Sequence, residues 1–246
     1  MKPSGNTILV TGGSAGIGRA LAQEFHRAGN KVIVTGRNIA ALGELVRAHS
    51  GMVSMPLDIS DGASIPAFVE RLKADHADIN VLVNNAGVMH FEDKINLAGA
   101  EAMIGTNLLG PVRLTAALLP HLLGKPEATL INVSSTQAFI PLPFSPIYCA
   151  TKAALHSWTF ALRMQLRGTP IEVIEIIPPA VQTELTPGQS KSPYAMPLDA
   201  FIAETMTLVR GQPTPPEICV KEALSWRAVV DDARVGGVLQ QFGLSP

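Results

Sequence analysis

Short β-branched runs alternate with amphipathic stretches through the first half of the chain. Thr7–Thr11 (TILVT) reads as a strand, residues 12–18 as a loop, and the following stretch as a helix ending near Gly29. Lys31–Thr35 (KVIVT) is a second strand, and a helical pattern runs from Ile39 to about His49. Residues 51–57 form a candidate third strand, residues 65–75 a helix, and residues 79–84 (INVLVN) a fourth strand. Strands separated by helical patterns of about 10–15 residues predict βαβ units and a parallel sheet. Such units are right-handed, so helices are expected on both faces. The fold class this predicts is α/β, a single doubly wound Rossmann-type domain spanning residues 1–246.

A long helix is expected over about 99–123, then an all-apolar strand at Ala128–Val133. Ser145-Pro146 has the form of a helix start, serine as N-cap and proline at the first helical position. That helix would run to Gly168 as a C-cap, and residues 172–177 (EVIEII) supply a sixth strand. Twelve of the 19 prolines fall between Pro141 and Pro216, which argues for stiff, irregular loops after the later strands. Ligands of open α/β sheets sit at the carboxyl ends of the strands, so these loops are the expected walls of a substrate pocket.

Composition narrows the function. Apolar residues make up 47% and charged residues 16%, which excludes a disordered chain and suggests low-charge surface buried against another copy. A formal net charge of -1 gives no electrostatic case for nucleic acid or an acidic membrane. Two cysteines, Cys149 and Cys219, form no disulfide framework and fit a reducing compartment. No unbroken apolar run reaches the ~20 residues of a transmembrane helix, and the first residues show no signal-peptide layout. A cytoplasmic location is the expectation.

Residues 11–18, TGGSAGIG, follow a strand and open a helix, with glycines at 12, 16 and 18. Glycines there allow a tight turn and close backbone approach, and free N–H groups at the helix start attract a pyrophosphate. A Gly-rich turn with no ligand is the alternative. At the end of the second strand, Gly36-Arg37-Asn38 stands where NAD-selective sites place an acidic residue on the ribose 2′-hydroxyl. A guanidinium there pairs with a 2′-phosphate, so NADP(H) is expected in preference to NAD(H).

Tyr148 and Lys152 lie four apart in the helix that begins at Pro146, hence on one face. A nearby ammonium and the helix N-terminus are expected to lower the phenol's pKa, making it a proton donor and acceptor. Ser134-Ser135 ends the fifth strand, where a hydroxyl can polarise a substrate oxygen. Asn84-Asn85-Ala86-Gly87 ends the fourth, its small residues permitting close cofactor approach. Pro111 lacks the N–H that the carbonyl of Asn107 would otherwise receive, which predicts a local kink and a carbonyl free to hold a water.

These segments together resemble the short-chain dehydrogenases/reductases: TGGSAGIG (11–18), LDI (57–59), NNAG (84–87), Asn107, Ser135, Tyr148-x-x-x-Lys152 and PPAVQT (178–183), with Ser135 thirteen residues before Tyr148. The resemblance covers roughly residues 6–185. It implies that Tyr148 is the acid/base, Ser135 the substrate-orienting hydroxyl and Lys152 the ribose-binding residue that tunes Tyr148. The carbonyl of Asn107 would anchor a proton-relay water. The cofactor loop would be Gly12, Ser14, Ala15, Gly16, Ile17 and Gly18, with Arg37 at the 2′-phosphate and Asn38 also on the cofactor. Asp58 and Ile59 would contact adenine, Asn85 the adenine-side ribose region with Ala86 and Gly87 beside the cofactor, and Val181 and Thr183 the nicotinamide carboxamide. The implied reaction is hydride exchange between NADP(H) and a carbonyl or alcohol. Pro178-Pro179 stands where the family has Pro-Gly, and the C-terminal region lacks a clear last strand, residues 213–227 reading as helical or irregular. YCATKAALHSW and PPAVQTEL resemble the branch found beside D-alanyl-teichoic-acid genes.

The six histidines show no metal-ligand spacing, so no metal is expected. His156 reads as a packing or interface residue and Cys149 as a small buried neighbour of Tyr148. Met89, Phe91, Phe139, Leu142, Phe144, Tyr194 and Met196 fall in loops after strands and bias the pocket toward an apolar small-molecule substrate. Residues 184–215 read as a substrate loop or an ordinary surface excursion. Low-charge helices at about 99–123 and 146–168 suggest a homodimer, with a tetramer as the alternative. The rival to an enzyme is a sensor that binds NADP(H) without turnover.

Overall fold

In the computed structural model, residues 1–92, 94, 96–228 and 240 are described. Seven strands form one parallel sheet: β1 (Thr7–Thr11), β2 (Lys31–Thr35), β3 (Val53–Ser54), β4 (Val81–Asn84), β5 (Ala128–Val133), β6 (Ile171–Ile176) and β7 (Glu217–Ile218). Their spatial order is β3-β2-β1-β4-β5-β6-β7. The helices are α1 (Gly16–Arg27), α2 (Ile39–Ala48), α3 (Ile65–Asp75), α4 (Leu97–Ile104), α5 (Gly110–Leu123), α6 (Pro146–Gln165), α7 (Leu198–Arg210) and α8 (Lys221–Arg227).

The alternation of side chains along each strand divides the core between the two faces. Val10, Val34, Val83, Val133 and Ile176 point to one side, against Phe25 of α1 and Phe201 of α7. Leu9, Ile33, Leu82, Leu130 and Val173 point to the other, against α3, α5 and the end of α6. These five are also in register, Leu9 opposite both Ile33 and Leu82, then Leu82 opposite Leu130 and Leu130 opposite Val173. Buried polar groups tie the layers together. Asn84 Nδ2 donates to Asn132 Oδ1 at 2.9 Å, and Asn132 Nδ2 donates to Thr159 of α6 at 2.8 Å.

Several expectations are corrected. The third strand shortens to two residues. The amides of Met55 and Leu57 still reach the carbonyls of Val34 and Gly36 beyond it, with Pro56, which has no N–H, facing the open edge of the sheet. Ser145 starts α6 without capping it; its Oγ donates to the carbonyl of His90 at 2.8 Å instead. The helix ends at Gln165, and Gly168 takes the left-handed turn beyond it, at φ +79°. The region read as helical or irregular contributes a seventh strand, because Glu217 and Ile218 pair with Glu175 and Ile176. Residues 229–239 and 241–246 lie outside the described residues. Within the 184–215 stretch, α7 is a core helix with Phe201, Ile202 and Met206 buried, flanked by residues 184–197 and 211–215 outside it.

The long helix is continuous from Leu97 to Leu123, 27 residues whose most apolar 18-residue stretch has a mean hydropathy of 1.3, long and apolar enough by length and composition to span a membrane. Here it is a core helix on one side, with Leu114, Leu118 and Leu122 fully buried. Its hydrogen bonding loosens where Pro111 predicts. Gly105–Leu109 is a π turn, and Gly110 N–H bonds back five residues to Gly105. Gly110 allows the bulge to dock, since a Cβ there would lie 2.8 Å from Ile59 Cγ1.

Candidate active site

Strand order turns back between β1 and β4, the place where open α/β sheets bind ligands beyond their carboxyl ends. A cavity of about 1040 Å³ opens there. It is lined by Gly12, Ser14, Ala15, Gly16, Ile17, Gly18, Arg37, Asn38, Asp58, Ile59, Asn85, Ala86, Gly87, Ser135, Tyr148, Lys152, Val181 and Thr183. Asn107 is set back from it, fully buried.

The glycine loop is shaped by its neighbour. Gly12 and Gly16 hold left-handed φ values of +67° and +53°. Asn85 presses into the loop, its Nδ2 donating to the carbonyl of Thr11 at 2.9 Å. A Cβ on Gly18 would lie 2.2 Å from that nitrogen. The Thr11 hydroxyl accepts from the amides of Asn85 and Ala86 at 2.9 and 3.0 Å, tying β1 to the end of β4. Thr11 was not singled out from sequence, although a hydroxyl closing a strand beside a glycine loop is the available signal.

Helix α1 then begins with no side chain capping it and no acidic residue in its first turn. Uncapped N–H groups and the positive end of the helix dipole favour an anion at this end. Arg37 stands exposed at the rim, and its charge helps hold the Asp58 carboxyl low, after the stronger effect of the Ser60 hydroxyl. Asn38 accepts from Ala41 N–H at 3.0 Å as the N-cap of α2, which occupies its amide oxygen. Loop, helix start and arginine fit the diphosphate and ribose of a dinucleotide.

Tyr148 and Ser135 meet at the cavity floor, both buried. Burial pushes the phenol well above its ordinary range, partly offset by the Ser135 hydroxyl. This is opposite to the expected lowering, because burial penalises the phenolate; the Lys152 ammonium lies 5.7 Å from the ring centroid. Lys152 is itself drawn down to about 8 by burial, opposed by the negative charge of Glu175. Its Nζ donates to the carbonyl of Val133 at 2.9 Å. A folded value below the ordinary one means that the buried ammonium costs stability at neutral pH. That cost is relieved as pH rises from about 8 toward 10.5.

Positioning contacts surround these groups. Ser135 Oγ accepts from Gln137 N–H at 3.2 Å and bonds the Gln137 side-chain oxygen, a partner the sequence reading missed. Asn107 grips Val88 from both sides, accepting its N–H and donating to its carbonyl, each at 2.8 Å. It also donates to Thr151, whose hydroxyl bonds the carbonyl of Tyr148 at 2.7 Å. Cys149 is buried and accepts from Leu142 N–H, its thiol pushed up by burial.

The Pro178-Pro179 loop needs no glycine. Their peptide is trans, and no non-glycine residue among those described has a positive φ. Thr136 N–H holds the carbonyl of Pro178 at 2.9 Å, and Val181 pairs with Met196. Met89, Phe91, Leu142, Phe144 and Tyr194 line the outer cavity, joined by Trp226 of α8. Phe139 and Met196 do not. Phe139 packs edge-on against His156 at 4.7 Å and under Arg227, while Met196 packs against the core. His156 thus packs as expected, but it also meets Glu175 and Glu217, their ligand-type atoms lying within 4.8 Å of one another. Linear spacing could not show this, since the three come from α6, β6 and β7.

Comparison with known proteins agrees with this geometry. The short chain dehydrogenase family matches residues 6–193. The uncharacterised oxidoreductase DltE of Bacillus subtilis is 44% identical over 191 residues, 75% of each chain. The NADP-dependent 3-hydroxy acid dehydrogenase of Schizosaccharomyces pombe is 36% identical over 191 residues, 74% of each. Among solved structures, the short-chain dehydrogenase from Sphingobium yanoikuyae in complex with NADPH superposes with a TM-score of 0.80 at 27% identity, covering 97% of this chain and 95% of that one. The chain belongs to the short-chain dehydrogenase/reductase family of oxidoreductases.

Proposed function

We propose that the protein exchanges a hydride between NADP(H) and a small carbonyl or alcohol substrate, with Tyr148 as the proton donor and acceptor. The observation that carries this reading is the meeting of Tyr148, Ser135 and Lys152 on the floor of the cavity whose other end is the glycine loop and Arg37. Bound there, the nicotinamide supplies or accepts the hydride. The chain does the rest. Burial keeps the Tyr148 phenol protonated at rest, the state needed to give a proton to a carbonyl oxygen. Ser135, held by Gln137, presents its hydroxyl to the same oxygen. Lys152 places positive charge beside the phenol and lowers the cost of the phenolate. Asn107 fixes the strand end through Val88, and its carbonyl, in the π turn before Pro111, would hold the relay water.

Two features bear on what is bound. Arg37 offers a planar guanidinium where a 2′-phosphate would lie, which supports NADP(H) over NAD(H). Phe91 and Phe144 meet edge to face at 5.7 Å on the outer wall, which suits a substrate with an apolar body. A homodimer is supported by Phe160 and Met164 of α6, both large and about half exposed.

Tyr148→Phe is expected to retain NADPH affinity and to lose turnover by about 100-fold or more against a panel of ketones and aldehydes. Retained turnover would place the acid elsewhere. Arg37→Ala should weaken NADPH binding by about 10- to 100-fold while NADH binding stays unchanged; equal losses in a fluorescence titration would contradict the 2′-phosphate assignment. Phe160→Glu should convert the sedimenting species to a monomer, whereas an unaltered sedimentation coefficient would remove this helix from the interface.

A further inference from the structure

Behind Lys152 lies a group of charged side chains that the reaction as described leaves unused. Glu175 of β6 is fully buried. A carboxylate in that position stays ionised only with donors or positive charge to hold it. Its two oxygens accept from Nδ1 of His156 at 3.0 and 2.9 Å. Carboxylate oxygens only accept, so Nδ1 carries the hydrogen.

His156 is one turn beyond Lys152 on α6, and Lys152 one turn beyond Tyr148, which sets the three along one side of the helix. Sheet register leads to the same point. Lys152 Nζ is bound to the carbonyl of Val133. Val133 is opposite Ile176, and its neighbour Asn132 is opposite Glu175. The buried carboxylate therefore sits in the strand adjoining the ammonium's anchor.

Other charges face the cluster from each packed element. On β7, Glu217 is gripped by Arg227 of α8 at 2.9 and 3.1 Å. Arg163 of α6 donates to the carbonyls of Val173 and Pro216. Cys219, after β7, has its thiol pushed up to about 11 by burial, and Glu204 of α7 acts on it from a distance. Arg227 is the partner of Glu217, and His156 the partner of Glu175. Glu175 is the carboxylate whose charge acts on Lys152.

We propose that Glu175 and His156 are positioning residues of the reaction, a buried carboxylate held by an imidazole N–H that keeps the Lys152 ammonium charged beside Tyr148. The proposal rests on the reading of Tyr148 and Lys152 given above. An imidazole suits the task because its Nδ1–H reaches both oxygens of the carboxylate.

The test follows the ¹³Cε resonance of Lys152 through a pH titration of the cofactor-free protein, alongside the pH profile of kcat/KM for NADPH-dependent reduction. In Glu175→Gln the Lys152 midpoint should fall by about one unit or more, and the alkaline limb of the profile should move with it. Glu175→Asp should stay close to wild type. A folded Glu175→Gln protein with an unmoved midpoint would overturn the proposal. Should that variant not fold, His156→Leu is expected to shift the midpoint in the same direction and His156→Gln, which keeps a donor, to restore it; an unmoved midpoint in His156→Leu would overturn it equally. Failure of the broader reading looks different: turnover that survives Tyr148→Phe, whatever the lysine titration shows.

Discussion

A parallel sheet brings the carboxyl end of every strand to one edge, and strand order reverses between β1 and β4. Crossovers leave that point in opposite directions, so no helix covers the gap. Everything at the site hangs from this arrangement. β1 ends in the glycine loop, β4 in Asn85, β5 in Ser135, and β6 in the Pro178-Pro179 loop. Because the strands are in register and their inner residues fully buried, the loops inherit fixed starting points. Short side-chain clips then set the loops against each other. Thr11 joins the ends of β1 and β4, and Asn107 holds Val88 to the bulged helix.

Burial is the second organising influence, and it acts on charge. Helix α6 carries Tyr148 and Lys152 inward against β5, where both are buried at the cavity floor. The phenol moves upward and the ammonium downward, each toward its neutral form. A proton shared between donor and substrate benefits from such a dry site, because fixed dipoles and charges act more strongly there. The same dryness threatens the ammonium, whose tuning role requires that it stay charged. Glu175 answers that difficulty from the adjoining strand, and His156 holds Glu175 in place through Nδ1. The polar chain of Asn84, Asn132 and Thr159 holds α6 against the sheet beneath them.

Much of this was legible in the sequence, for physical reasons that differ by residue. The bounds of Thr7–Thr11, Lys31–Thr35 and Ala128–Val133 follow from β-branched runs bounded by polar or glycine residues. Pro111 announced the irregular turn at Asn107 because a missing N–H has only local consequences. Glu217–Ile218 was not legible, since two residues among prolines become a strand only when β6 is there to pair with. The direction of the Tyr148 shift was misread because spacing reveals the neighbouring ammonium but not the depth of burial. Contacts between His156 and Glu175, nineteen residues apart on different elements, leave no periodic trace.

The central claim is that this site moves a hydride, with a proton from Tyr148, rather than merely holding a dinucleotide. It is tested most directly by following deuterium from NADPH labelled at the nicotinamide C4 into the product of whichever ketone or aldehyde is reduced. The account predicts a single deuterium on the carbinol carbon, delivered from one face only. NADPH that binds tightly while no carbonyl in a broad panel acquires the label would contradict it.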